Sequence, residues 1–209
     1  SNKSRGTIIV FHGNAGNALN RLYYTTALNR LDYRVLLAEY PGYGARSGKV
    51  GEPQFTADAV ETIRLASKEF GPPIFLLGES LGCGVACAAV AETNVPIQGV
   101  ALITPWDTLP NVAQDQYWFL PARWMVKDRY DNVAYLAHYE GPVAVIMAAQ
   151  DEIIPNRLTR RLYEALPGPK RLWTFAEAGH NSWPSGPNEP WWGEMMKFLQ
   201  PAAAGHETK

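Results

Sequence analysis

A serine set between two glycines, Gly78-Glu79-Ser80-Leu81-Gly82, is the first feature of this sequence able to do covalent chemistry. It follows an apolar run at residues 74–77 and precedes an alanine- and valine-rich stretch with helical character. A sharp strand-to-helix turn of this kind lifts a serine hydroxyl clear of a sheet, and glycines leave room for the crowded backbone. The helix that follows points its N-terminus at the site and favours the negative charge of a tetrahedral intermediate. By itself the motif also fits a glycine-containing turn with an idle serine, so its partners matter.

Partners are present in the order serine, aspartate, histidine. Asp151 follows the apolar run 143–149, and His180 sits in Glu177-Ala178-Gly179-His180-Asn181 after the run 172–175. Ser80 is expected as nucleophile, His180 as general base and Asp151 as the acid that orients it. Asp107, after the run 100–104, is the rival acid; its alternative role is a helix cap. Glu152 is expected to point away, and His138 and His206 read as surface or tail residues. An acyl-transfer site also needs two backbone N–H groups aimed at the developing oxyanion. Leu81 is expected to supply one and Asn14, in the loop His12-Gly13-Asn14-Ala15-Gly16-Asn17, the other, with Ala15 as the near alternative. His12 is read as fixing that loop by hydrogen bonds.

These residues need a scaffold that brings the ends of several strands together. Short apolar runs at 7–11, 35–40, 74–77, 100–104, 143–149 and 172–175 read as buried parallel strands. Helical spacing separates several of them: Leu19, Leu22, Tyr23 and Leu31; Val60, Ile63, Ser67 and Phe70; Leu158, Leu162 and Leu166. Alternation of this kind predicts an α/β fold with a mostly parallel sheet flanked by helices, here as one domain over 1–209. Residues 106–140 break the rhythm and are expected to form a small helical cap insertion over one end of the sheet. A last helix is expected from about Glu189-Pro190 to Leu199, and 201–209 as a frayed tail.

Lys plus Arg number 19 against 20 Asp plus Glu, with no run of like charge, so nucleic acid is not expected as a partner. No apolar stretch has the roughly 20 residues of a membrane-crossing helix. The histidines lack His-x-x-x-His spacing and the cysteines lack Cys-x-x-Cys spacing, so no metal is expected and no cofactor is required. Gly42, Gly44 and Gly48 do not make a dinucleotide fingerprint and read as a long turn. Cys83 and Cys87, four apart on one expected helix, speak against a disulfide framework and favour a reducing, cytoplasmic compartment, although an N-terminal signal or anchor preceding the chain would leave no trace. The oligomeric state is left open.

The expected partner is a small acyl ester. Trp106, Trp118, Phe119 and Trp183, with Trp124, are candidates to line its pocket; the alternative is that they pack the insertion onto the sheet. Arg123, Lys127 and Arg129 read as a solvated face. Ester or thioester hydrolysis leads, a serine peptidase or aminopeptidase on the same fold comes second, and a non-catalytic binding protein third.

The loop His12 to Asn17, the run Tyr40-Pro41-Gly42-Tyr43-Gly44 with Ser47-Gly48, the Gly78 to Gly82 turn, Asp151 with Ile154-Pro155, and Gly179-His180-Asn181 together resemble the Bem46-like branch of the α/β-hydrolases. The resemblance covers about 7–199. It implies the triad roles for Ser80, Asp151 and His180, the oxyanion roles for Asn14 and Leu81, and activity on esters or thioesters of acyl chains. Members of that branch usually carry one or two strands, and often a membrane anchor, ahead of the strand corresponding to 7–11.

Overall fold

The computed structural model describes residues 4–200; the expected tail and His206 lie outside the described residues. Six parallel strands form one sheet in the order β2-β1-β3-β4-β5-β6. They are β1 Thr7–Phe11, β2 Arg34–Ala38, β3 Ile74–Glu79, β4 Ile97–Ile103, β5 Val143–Ala148 and β6 Lys170–Phe175. Every expected strand is present. The largest differences are at the starts of β4 and β6 and the end of β3, which lengthen the runs, and at the end of β2. Glu39 and Tyr40 leave the ladder after β2 because their side chains hold the loop after β1: Glu39 accepts from Ala18 N–H, and the Tyr40 hydroxyl donates to the His12 carbonyl.

Helices cover both faces, and the twofold alternation of strand side chains assigns each residue to one of them. On one face, Ile9, Phe11, Leu76, Leu102 and Val145 pack under α2 (Glu52–Phe70), α3 (Leu81–Glu92), α5 (Asn132–Leu136) and α6 (Asn156–Ala165). On the other, Ile8, Val10, Leu77, Ile103 and Ile146 pack under α1 (Leu22–Asn29) and α7 (Pro190–Leu199). Local chemistry sets the helix ends. α2 starts after Gly51, at φ 134°, with a proline in its first turn, and stops at Gly71, at φ 72°. α7 opens on Pro190, where a missing N–H costs nothing.

The strand order reverses between β1 and β3, since β2 lies outside β1 and the chain returns past it to β3. In an open α/β sheet the crevice at the carboxyl ends of such a strand pair is where functional loops converge. The loop carrying Asn14 follows β1 and the turn carrying Ser80 follows β3, so both expected elements meet there.

Residues 106–140 form α4 (Leu109–Gln116), a short 3-10 turn at Ala122–Trp124 and α5, tied by an antiparallel bridge between Thr108 and Asp131. Cys83 and Cys87 share α3, both free and buried, and burial pushes both thiols up. Among the described residues no helix is long and apolar enough to cross a membrane. Trp192, buried on the α7 face with its Nε1 donating to the Gly186 carbonyl, anchors α7 to the sheet. Replacing it by alanine is expected to cost about 3–5 kcal/mol, read as a lower urea midpoint at unchanged m-value.

Candidate active site

The turn after β3 can form only because of its glycines. A Cβ on Gly82 would sit 1.9 Å from the Phe11 carbonyl oxygen, and one on Gly78 would sit 2.5 Å from the Gly82 carbonyl oxygen. Ser80 itself adopts φ 50°, ψ −115°, a sparsely populated conformation for a non-glycine residue. Its N–H donates to the Ile103 carbonyl at 2.9 Å, and its own carbonyl accepts from Cys83 N–H, so both sides of the strained residue are held. A third glycine, Gly84, leaves a seat for the Tyr130 ring, which would lie 2.7 Å from a Cβ there.

His180 Nε2 lies 2.9 Å from Ser80 Oγ, and His180 Nδ1 lies 2.8 and 3.0 Å from the two Asp151 carboxylate oxygens. A carboxylate can only accept, so Nδ1 donates to it and leaves Nε2 free to accept from the serine hydroxyl. The Asp151 and His180 side chains are almost fully buried, which shields this chain of hydrogen bonds from water. Backbone groups lock the acid in place: Ile153 and Ile154 N–H both donate to Asp151 Oδ1. The three expected residues are therefore brought together.

Other expectations fare differently. Glu152 does not point away: its Oε2 accepts from the His180 N–H at 3.0 Å. The turn at Gly179 folds back over the loop after β5, and a helix-free N–H there needs an acceptor. That hydrogen bond is the main reason the Glu152 carboxyl is held below its usual range. Asp107 makes no hydrogen bond to the His180 ring, whose partners are Asp151 and Ser80. It accepts from Thr108 N–H and Asn111 Nδ2 and lies 3.7 Å from Arg161, while the cap of α4 is Thr108, whose hydroxyl accepts from Asn111 N–H. His12 is held as expected, with Nδ1 2.7 Å from the Gly13 carbonyl and Nε2 2.9 Å from Glu39.

Asn14 and Leu81 line a cavity of about 440 Å³ that opens over Ser80. Among the described residues, neither backbone N–H finds an acceptor within the protein. The Asn14 side chain is fixed by the Tyr43 hydroxyl, which donates to its Oδ1. One end of the cavity is apolar, walled by Trp106, Leu109, Val112 and Ile154. The rest of the lining includes Tyr43, Val50, Phe55, Asp128 and Tyr130. Two buried wall residues, Trp106 and Tyr130, leave Nε1 and the hydroxyl without a hydrogen-bond partner, each a penalty of about 1–3 kcal/mol.

Of the aromatic residues expected in a pocket, Trp106 alone lines it. Trp183 is buried instead among Tyr23, Tyr24, Trp191 and Trp192 on the α7 face. Trp118, Phe119 and Trp124 neither line the cavity nor pack onto the sheet; they are 80%, 65% and 74% exposed. The segment between α4 and α5 is too short of facing structure to cover them.

One cluster was not foreseen. Glu79, beside the serine, buries its carboxylate under Arg21 and two tyrosines. Arg21 Nε and Nη2 donate at 2.8–3.1 Å, and the Tyr23 and Tyr24 hydroxyls each donate at 2.9 Å. Arg21 Nη2 also donates to the Ala15 carbonyl, so the pair ties the serine turn to the Asn14 loop. Burial, with the Glu79 charge adding to it, pushes the Tyr24 phenol well up and keeps it a donor. The available signal was an acid next to the serine, which is silent without knowledge of where 21–24 lie.

A family model described as the alpha/beta hydrolase fold matches residues 6–137. The chain belongs to the α/β-hydrolase fold family. It is 34% identical over 184 residues to an uncharacterized protein of Mycobacterium tuberculosis, Rv2307c, covering 87% of this chain and 65% of that one. It is 28% identical over 188 residues to the lysophosphatidylserine lipase ABHD12 of Danio rerio, covering 81% of this chain and 49% of that one. The chain therefore spans between half and two thirds of the length of these relatives. Among solved structures, an acetyl xylan esterase of Thermoanaerobacterium superposes with a TM-score of 0.72 at 15% identity, covering 96% of this chain and 75% of the esterase. An esterase of Pyrococcus furiosus superposes equally well at 18% identity, covering 95% and 83%.

Removing the Glu79 carboxylate strands the Arg21 charge in a mostly buried site. Glu79→Ala is expected to cost about 3–5 kcal/mol in chemical denaturation. Glu79→Gln, which still accepts, should lose clearly less.

Proposed function

We propose that this chain hydrolyses carboxylic esters through an acyl-enzyme on Ser80. The observation that carries the reading is the hydrogen-bond chain from Asp151 through His180 to Ser80 Oγ, with each link between 2.8 and 3.0 Å. As Oγ attacks the acyl carbonyl, its proton passes to His180 Nε2, and Asp151 stabilises the imidazolium that forms. The Leu81 and Asn14 N–H groups hold the oxyanion, a contact worth about 3–4 kcal/mol for each donor. His180 then gives its proton to the departing alcohol. Water attacks the acyl-enzyme by the same path in reverse and frees Ser80.

The cavity suggests how the substrate lies. The apolar end at Trp106, Leu109, Val112 and Ile154 suits an acyl chain, and the lining at Tyr43, Asp128 and Tyr130 suits a polar alcohol portion. Relatives named as a lipase and folds named as esterases agree with this chemistry. The His12 to Asn17 loop and the Tyr40 to Gly44 run are the grounds on which we assign the chain to the Bem46-like branch. Asp128 supports a second reading: a carboxylate in the wall is what an aminopeptidase needs to hold a free amine.

A fluorophosphonate probe is expected to label the protein, and Ser80→Ala to abolish labelling; an unlabelled wild type would refute the acyl-enzyme. Asp151→Asn should lower kcat by about 10⁴ while leaving the fold intact. Val112→Phe, which fills the apolar end, should lower kcat/KM for octanoyl esters by about tenfold and spare acetyl esters. Amino-acid anilides hydrolysed faster than esters, with the preference lost in Asp128→Asn, would put the peptidase reading first.

A further inference from the structure

The uncovered aromatic residues between α4 and α5 are gathered in one short stretch of chain. Tyr117, Trp118, Phe119, Leu120, Trp124 and Met125 all expose more than two fifths of their surface within nine residues of chain. Large apolar groups gathered in this way, rather than scattered singly, mark a surface that meets something. Tryptophan and tyrosine are the side chains enriched where an apolar phase meets water, because a large ring carries a polar edge.

Charge indicates what the face meets. Arg123, Lys127 and Arg129 interleave with the aromatic residues and are exposed. Among the described residues, none of the three lies within 4.0 Å of a carboxylate. Of the neighbouring acids, Asp128 lies in the wall of the active-site cavity, and the others are held by groups of the protein. Asp115 pairs with Arg157, Glu52 accepts from the Arg129 and Tyr130 N–H groups, and Asp131 caps α5. Arg123 and Arg129 also flank a cleft of about 290 Å³, walled by Thr108, Pro110, Asn111, Trp124 and Asp131. Two guanidinium groups beside an aromatic ring suit an oxygen anion held at an apolar boundary.

We infer that residues 117–129 dock this protein peripherally on an anionic lipid surface, with the aromatic side chains entering the interface and Arg123, Lys127 and Arg129 meeting the headgroups. Attachment of this type combines buried apolar area with attraction to anionic lipid. The face adjoins the acyl end of the cavity: α4 supplies Leu109 and Val112 to the wall, and Gln116 at its end donates to the carbonyl of Ile153, another wall residue. Delivery of acyl esters from the surface to Ser80 rests on the function proposed above; the docking itself does not.

The test uses the Ser80→Ala chain, so that lipid turnover plays no part, sedimented with phosphatidylcholine vesicles with and without phosphatidylglycerol. Binding to the anionic vesicles is expected. Replacing Trp118, Phe119 and Trp124 together by serine should weaken it by about tenfold or more. Replacing Arg123, Lys127 and Arg129 by glutamine should erase the preference for phosphatidylglycerol. With Ser80 intact, the aromatic variant should hydrolyse p-nitrophenyl acetate like wild type, which shows that it has folded. Three results overturn the inference: a chain that stays in the supernatant, an aromatic variant that binds undiminished, or a dimer that the aromatic substitutions convert to monomer. Displacement by inorganic phosphate at constant ionic strength would also overturn it, since the cleft would then read a free anion. Loss of p-nitrophenyl acetate hydrolysis in wild type, with vesicle binding intact, would instead remove the ester reading and leave the docking face standing.

Discussion

The end of β1 and the turn after β3 touch through backbone alone. At Gly82 there is no space for even one carbon beyond the main chain, because the Phe11 carbonyl oxygen occupies it. This contact presses the start of α3 against the strand from which the Asn14 loop leaves. It thereby sets the distance between a strained serine and the loop facing it. Ser80 at positive φ persists only because the β4 carbonyl, the α3 backbone and this contact over-determine it.

Around that contact, the polar groups form two separate supports. On one side, Glu79 and Arg21 connect the serine turn to the Ala15 carbonyl, inside a shell of tyrosine hydroxyls. On the other, Asp151 and Glu152 divide the histidine between them: the first binds its ring and the second its backbone N–H. A carboxylate next to the nucleophile would oppose negative charge building there. Its guanidinium partner offsets that charge, which explains why an acid is tolerated beside Ser80.

The same division runs through the surface. The apolar wall of the cavity comes from Trp106, α4 and the loop after β5, which pack together with Leu158 of α6. The aromatic segment beyond α4 packs back on that helix through the Ala122–Trp124 turn and leaves its large side chains exposed with its cations. A pocket and a docking face thus adjoin, and the aromatic side chains of the face take no part in the pocket wall.

Sequence by itself determined the six strands, to within a few residues at their ends, and the order of serine, aspartate and histidine, because buried parallel strands read as short apolar runs bounded by glycine, proline or polar residues. It also determined that His12 holds a loop. Tertiary structure decided which aromatic residue faces which phase. Trp106, Trp118 and Trp183 are equivalent as residues, yet one lines the cavity, one meets solvent and one is buried among the aromatic residues of α1 and α7, since burial depends on what lies opposite and not on local pattern. Tertiary structure alone also joined Glu79 to Arg21 and turned Glu152 toward His180. Those contacts span 58 and 28 residues of chain, and no local spacing records an approach made across the sheet.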